Sequence, residues 1–155
     1  MVIGADNLSE YERLLALAED ENINVHENYD LGSNRLKGLY CNGNIALSYN
    51  LENTSGKTCI LAEELGHYYT ATKNILDLSD VEKSKQERKG RIWAYEKLIT
   101  KEAIDVAFRS GCREYWEVAE YLDMDCEFLY HAMIYYGYID VWYIMWKERI
   151  LVVTI

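Results

Sequence analysis

The sequence predicts an α+β protein: a small antiparallel sheet packed with two long helices, followed by a helical, winged-helix-like extension. Three observations carry that prediction. Apolar residues recur at helical spacing through most of the chain, the pair Asn42-Gly43 sits between two alternating runs, and the last third breaks into three short amphipathic segments and two apolar stretches. The 155 residues contain no proline, low-complexity tract or repeat. A chain of this length buries roughly 70% of its unfolded surface, so it reads as a domain over residues 1–100 and an extension over residues 101–155, packed as one unit.

The elements follow in order. "LSEYERLLALAED" places Leu8, Tyr11, Leu14, Leu15 and Ala18 on one helix face, with Ser9 as the N-cap. "INVHENY" is extended. In "LKGLYCNGNIALSYNL" the Asn42-Gly43 pair suits a two-residue turn that needs positive φ at both positions, which predicts a hairpin. "KTCILAEELGHYYTATKNIL" is a helix with Leu61, Ala62, Leu65, Tyr68 and Tyr69 on one side and Ile60, Glu63, Glu64 and His67 across from them. Ser79 or Asp80 caps a second long helix, "VEKSKQERKGRIWAYEKLIT". Three short helices, broken at Gly111 and at Asp123 to Asp125, precede a strand pair at Ile139 to Met145 and Ile150 to Ile155.

Composition excludes some classes of function. The N-terminal residues show no secretory signal, and no stretch reaches the ~20 apolar residues of a membrane span. The four cysteines lack C-x-x-C pairing and disulfide-scaffold density, so reduced thiols in a cytoplasmic protein are expected. A formal charge of −10 opposes a general grip on nucleic acid, which needs lysine and arginine to displace counterions. From Lys101 to Ile155 five basic residues face ten acidic ones, and the segment Cys126 to Tyr136, where a winged helix would read DNA, has no lysine or arginine. The extension is therefore read as a platform for a protein partner. The aromatic residues recur at helical spacing and are assigned to packing, and His26 and His131 lack ligand spacing to any other candidate.

The stretch "LAEELGHYYT" holds the candidate chemistry. Two metal ligands four residues apart on a helix return to nearly the same azimuth, and a glutamate beside the first can reach a water between them and the substrate. Glu63 and His67 have the ligand spacing and Glu64 the base position. Gly66 costs about 1 kcal/mol relative to alanine inside a helix, which suggests that another backbone or a metal shell passes close by. The same string also fits the solvated face of an ordinary helix. In the next helix Glu87 lies within about 60° of Gly90, Ala94 and Leu98. That stripe predicts an inward-facing carboxylate that needs a cation, either Arg91 in a structural ion pair or a metal.

These paired stretches, "KTCILAEELGHYYT" and "QERKGRIWAYEKLI", resemble the ImmA/IrrE family of small metallopeptidases of phages, mobile elements and bacterial chromosomes. The resemblance covers roughly residues 1–100 and, more loosely, "YWEVAEYLDMDCEFLYHAMIYYG". It implies a minimal, gluzincin-like zincin domain over 1–100, bound Zn²⁺ (or Mn²⁺ or another divalent ion), and cleavage of a helix-turn-helix repressor of the Xre or cI type. By position, His67 matches the second metal ligand, Glu64 the general base and Glu87 the third ligand. Glu63 stands where the family pattern has histidine. Glutamate can ligate zinc, but two carboxylates cancel the ion's charge, so its water should be acidified less and hydrolysis slowed. The alternative is a non-cleaving, metal-stabilised antirepressor or regulatory subunit.

Overall fold

A computed structural model describes residues 8–71 and 79–140, which separate into two compact units at Thr100/Lys101. In the first unit, α1 (Glu10–Asp20) opens with a capping box in which Ser9 and Glu12 satisfy each other's backbone N–H groups. Leu14 and Ala18 form its buried stripe. Strands β1 (Asn24–Tyr29), β2 (Gly38–Cys41) and β3 (Asn44–Ser48) follow. Helices α2 (Thr54–Thr70) and α3 (Asp80–Leu98) complete the unit.

The predicted hairpin is present. Asn42 and Gly43 take φ of 47° and 74°, the left-handed values a tight two-residue turn requires. They pair β2 antiparallel to β3, with Gly38 opposite Leu47 and Cys41 opposite Asn44. The sheet as a whole is mixed, which corrects the antiparallel expectation. Its order is β1-β3-β2, and β1 runs parallel to β3 with Val25 opposite Ile45. The chain crosses from one edge to the other between β1 and β2, so β1 adds to the far side of β3 instead of extending a meander. Alternation along β3 turns Ile45 and Leu47 fully into the core, which also holds Leu61 and Leu65 of α2 and Leu14 of α1.

Asn53 caps α2 by accepting from the Gly56 N–H at 2.8 Å, so the helix begins earlier than its apolar pattern indicates. It ends at Thr70, whereas the sequence predicted helix through Leu76; residues 72–76 of that prediction lie outside the described residues. Ser79 caps α3 with a second capping box. The two helices run antiparallel: Gly66 meets Gly90, and Gln86 Nε2 donates to Thr70 Oγ1 at 3.2 Å one turn further along α2.

The second unit carries α4 (Lys101–Arg109), α5 (Tyr115–Tyr121) and α6 (Cys126–Tyr135), around a core that includes Ile104, Val118, Leu129 and Met133. Asp123, at φ 51°, turns the chain between α5 and α6. Asp125 caps α6 through the Phe128 N–H at 3.0 Å. The strand pair that would make the wing falls almost wholly on residues 141–155, outside the described residues, and Ile139 and Asp140 are not in a strand. All four cysteines are free thiols. No described helix is long and apolar enough to cross a membrane.

Candidate metal centre

The glycine crossing of α2 and α3 brings two of the sequence-predicted residues, His67 and Glu87, together. A β-carbon on Gly66 would overlap the carbonyl of Gly90, and one on Gly90 would overlap the His67 imidazole. Without either side chain the helices approach closely enough for His67 Nε2 to lie 3.5 Å from Glu87 Oε2. Two ligands held at about 2.0–2.2 Å around a tetrahedral ion stand roughly 3.4 Å apart. The pair therefore has the separation of one edge of a zinc coordination tetrahedron.

Burial lowers the pKa of His67, and Arg91 adds to that effect against the opposing pull of Glu87. The imidazole is thus held neutral, the form that ligates metals, and its contact with Glu87 is not an ion pair. Glu87 itself corrects the expectation of an inward-facing carboxylate: half of its side chain, 51%, is open to solvent. The contact line of α3 runs through Gly90, Ala94 and Tyr95, and Glu87 flanks it at the mouth of the crossing. Its other oxygen, Oε1, lies 3.4 Å from Arg91 Nη2, so the ion pair that was the alternative to metal binding is present as well.

Glu64 departs furthest from its helical-wheel assignment. It lies beneath β2, where a β-carbon on Gly38 would press on Ile60 Cγ2 and, at 2.7 Å, on Glu64 Oε1. Burial pushes its pKa up to about 7, opposed by a hydrogen bond from the Tyr40 backbone N–H and reinforced by the carboxylates of Glu63 and Glu87. Such a value suits a group that must both take and give a proton near neutrality. Glu63, half-buried, lies near Tyr95, whose phenol is raised to about 12 by burial and then by that carboxylate. Among the described residues no three His, Cys, Asp or Glu side chains converge closely enough to hold an ion. His67 and Glu87 thus fit two positions of a metal site, with Glu63 one turn before His67 on the same helix.

The surroundings tie α2 to neighbouring elements, through residues whose spacing alone carries no such signal. Tyr68 and Tyr69 donate to the two oxygens of Glu21 at 2.8 and 3.0 Å. Their rings continue a layer from Tyr40 on β2 to Trp93 on α3, with centroid separations of 5.6, 5.1 and 5.0 Å. Tyr68 is therefore an anchor to α1 and not a buried core residue. Of the other two histidines, His26 Nε2 lies 3.2 Å from Asn44 Oδ1 and His131 packs edge-on against Tyr130.

A compact α+β unit in which His67 and Glu87 face each other across two helices, with Glu64 half-buried on the first of them, is consistent with a small, zincin-like domain. The family model described as Peptidase M78, IrrE N-terminal-like domain, matches residues 18–133, and the chain belongs to that family. Membership makes it metallopeptidase-like and implies a divalent metal. No curated protein and no solved structure matches the chain significantly.

Proposed function

We propose that this chain is a metal-dependent endopeptidase that cuts a helix-turn-helix repressor of the Xre or cI type and so relieves repression of a phage or mobile element. The observation that carries the metal chemistry is the 3.5 Å approach of His67 to Glu87, with Glu64 half-buried beneath β2 on the same helix as His67. In this reading Glu63, His67 and Glu87 hold Zn²⁺, with Mn²⁺ the next candidate because two carboxylates favour harder ions. When bound, the ion acts as a Lewis acid that acidifies water and polarises the scissile carbonyl. Glu64 takes the proton of the attacking water and passes it to the leaving amine nitrogen. A cation nearby favours the carboxylate form of Glu64 that the first of these transfers requires.

A second reading is favoured by Glu63, whose charge weakens the ion as a Lewis acid: the protein binds its repressor without cutting it, and the metal only ties α2 to α3. The substitution Glu64→Gln separates the two. Incubation with the repressor encoded beside its gene should give one cleavage product with the wild-type protein and none with Glu64→Gln, at equal metal content. Intact repressor bound equally by both proteins would establish the second reading instead.

A further inference from the structure

Packing does not fix the carboxylate of Glu87, because half of the side chain faces water. Two polar neighbours lie near it, one for each oxygen: Arg91 Nη2 at 3.4 Å from Oε1, and His67 Nε2 at 3.5 Å from Oε2. The two oxygens belong to one rigid plane, so holding the first sets the direction of the second. Arg91 stands one turn further along α3 and is itself about half exposed.

We infer that Arg91 is a positioning residue of this site: by engaging one oxygen of Glu87 it keeps the other beside His67, and so aligns the ligand pair before a cation arrives. The inference rests on the metal reading above. Two effects of Arg91 oppose each other. Its charge repels a divalent ion, but at a half-exposed position water screens that repulsion. Partners that orient a ligand typically change metal affinity by about 10–100-fold. Orientation is the larger effect, so removal of Arg91 weakens binding, whereas a purely surface ion pair would leave it unchanged or tighten it.

The test is a Zn²⁺ titration of the full chain against a chromophoric chelator. It compares the wild type with Arg91→Gln, Arg91→Lys and Lys89→Gln, the last removing the same charge from an exposed position on α3. Arg91→Gln should weaken Zn²⁺ binding tenfold or more. Arg91→Lys, which keeps the charge but loses the planar fork, should be intermediate, and Lys89→Gln should stay within about twofold. Equal or tighter binding by Arg91→Gln overturns the inference. Thermal melts of the metal-free proteins show which variants fold. Should Arg91→Gln not fold, Arg91→Lys decides, and affinity within about twofold of the wild type then overturns the inference. A wild type that binds no Zn²⁺ removes the metal reading and this inference together. A wild type that binds, beside an Arg91→Gln that binds equally well, removes only the inference.

Discussion

Gly66 of α2 and Gly90 of α3 meet backbone to backbone, with the carbonyl of Gly90 where a side chain at position 66 would begin. Each glycine costs its helix about 1 kcal/mol of propensity. The approach they allow is what puts His67 within ligand distance of Glu87.

Alanine at either position should therefore destabilise the protein despite its better helix propensity. Overpacking of this kind costs about 1–3 kcal/mol, and at Gly66 the obstructing atoms are backbone and cannot move aside. Urea unfolding should show a net loss of up to about 2 kcal/mol for Gly66→Ala. Gly90→Ala should in addition weaken Zn²⁺ binding, because it displaces the imidazole. A Gly66→Ala protein as stable as the wild type would show that the crossing can open without cost.

Glu64 makes stability depend on pH in the metal-free protein. Its pKa in the folded chain, about 7, lies above the ordinary 4.5. Folding thus favours the protonated acid, and this contribution is fully present below pH 4.5 and is lost as pH rises through 7. It should amount to up to about 3 kcal/mol between pH 5 and 8. Comparison of chemical denaturation midpoints for wild type and Glu64→Gln isolates it, since the amide does not titrate. Parallel pH profiles for the two proteins would contradict the burial of this carboxylate.

Glu27 contributes with the opposite sign. Lys57 donates to it at 2.5 Å and Tyr11 at 2.7 Å, and these bonds hold its pKa below the usual carboxylate value. Its stabilisation is present above pH 4.5 and fades as pH falls through the lowered pKa. Glu27 is partly exposed, so after allowance for screening Lys57→Ala should cost only about 0.5–1 kcal/mol at pH 7. The difference between the two proteins should shrink in acid, as measured by thermal unfolding at pH 7 and pH 3. A constant difference would mean that Lys57 acts through packing.

In the proposed site, where the carboxylates of Glu63 and Glu87 cancel the charge of the divalent ion, Glu63→His should leave one net positive charge. More acidic water then follows. The acid limb of the kcat/KM profile should move to lower pH, and the rate at pH 6 should rise severalfold. Tighter zinc binding with no movement of that limb would show that charge on the ligands does not limit this site.

Much of the layout was legible because it depends on local chemistry. Ser9 and Ser79 announce capping boxes, Asn42-Gly43 announces the hairpin, and the spacing of Glu63, Glu64 and His67 follows from helical period alone. What failed depended on tertiary partners. Nothing in "INVHENY" says that it pairs with β3 in the parallel sense and not with β2. A wheel centred on Gly90 and Ala94 draws Glu87 inward, but two glycines make so narrow a contact line that Glu87 is left beside it in water. The wheel of α2 put Glu64 across from its main apolar side, and the reason it is half-buried lies elsewhere, at Gly38, whose missing side chain lets β2 settle over the carboxylate.

The parallel pairing of β1 with β3 also bears on the order of assembly. The β2–β3 turn spans two residues, and hairpins of this kind close in roughly 1–10 μs. Partners such as Val25 and Ile45 are far apart in the chain and must lose more loop entropy before they gain anything. The hairpin and α2, which follows it directly, are therefore expected to form the folding nucleus, with β1 docking late. Substitutions at Val25 should accelerate unfolding and leave the refolding rate nearly untouched.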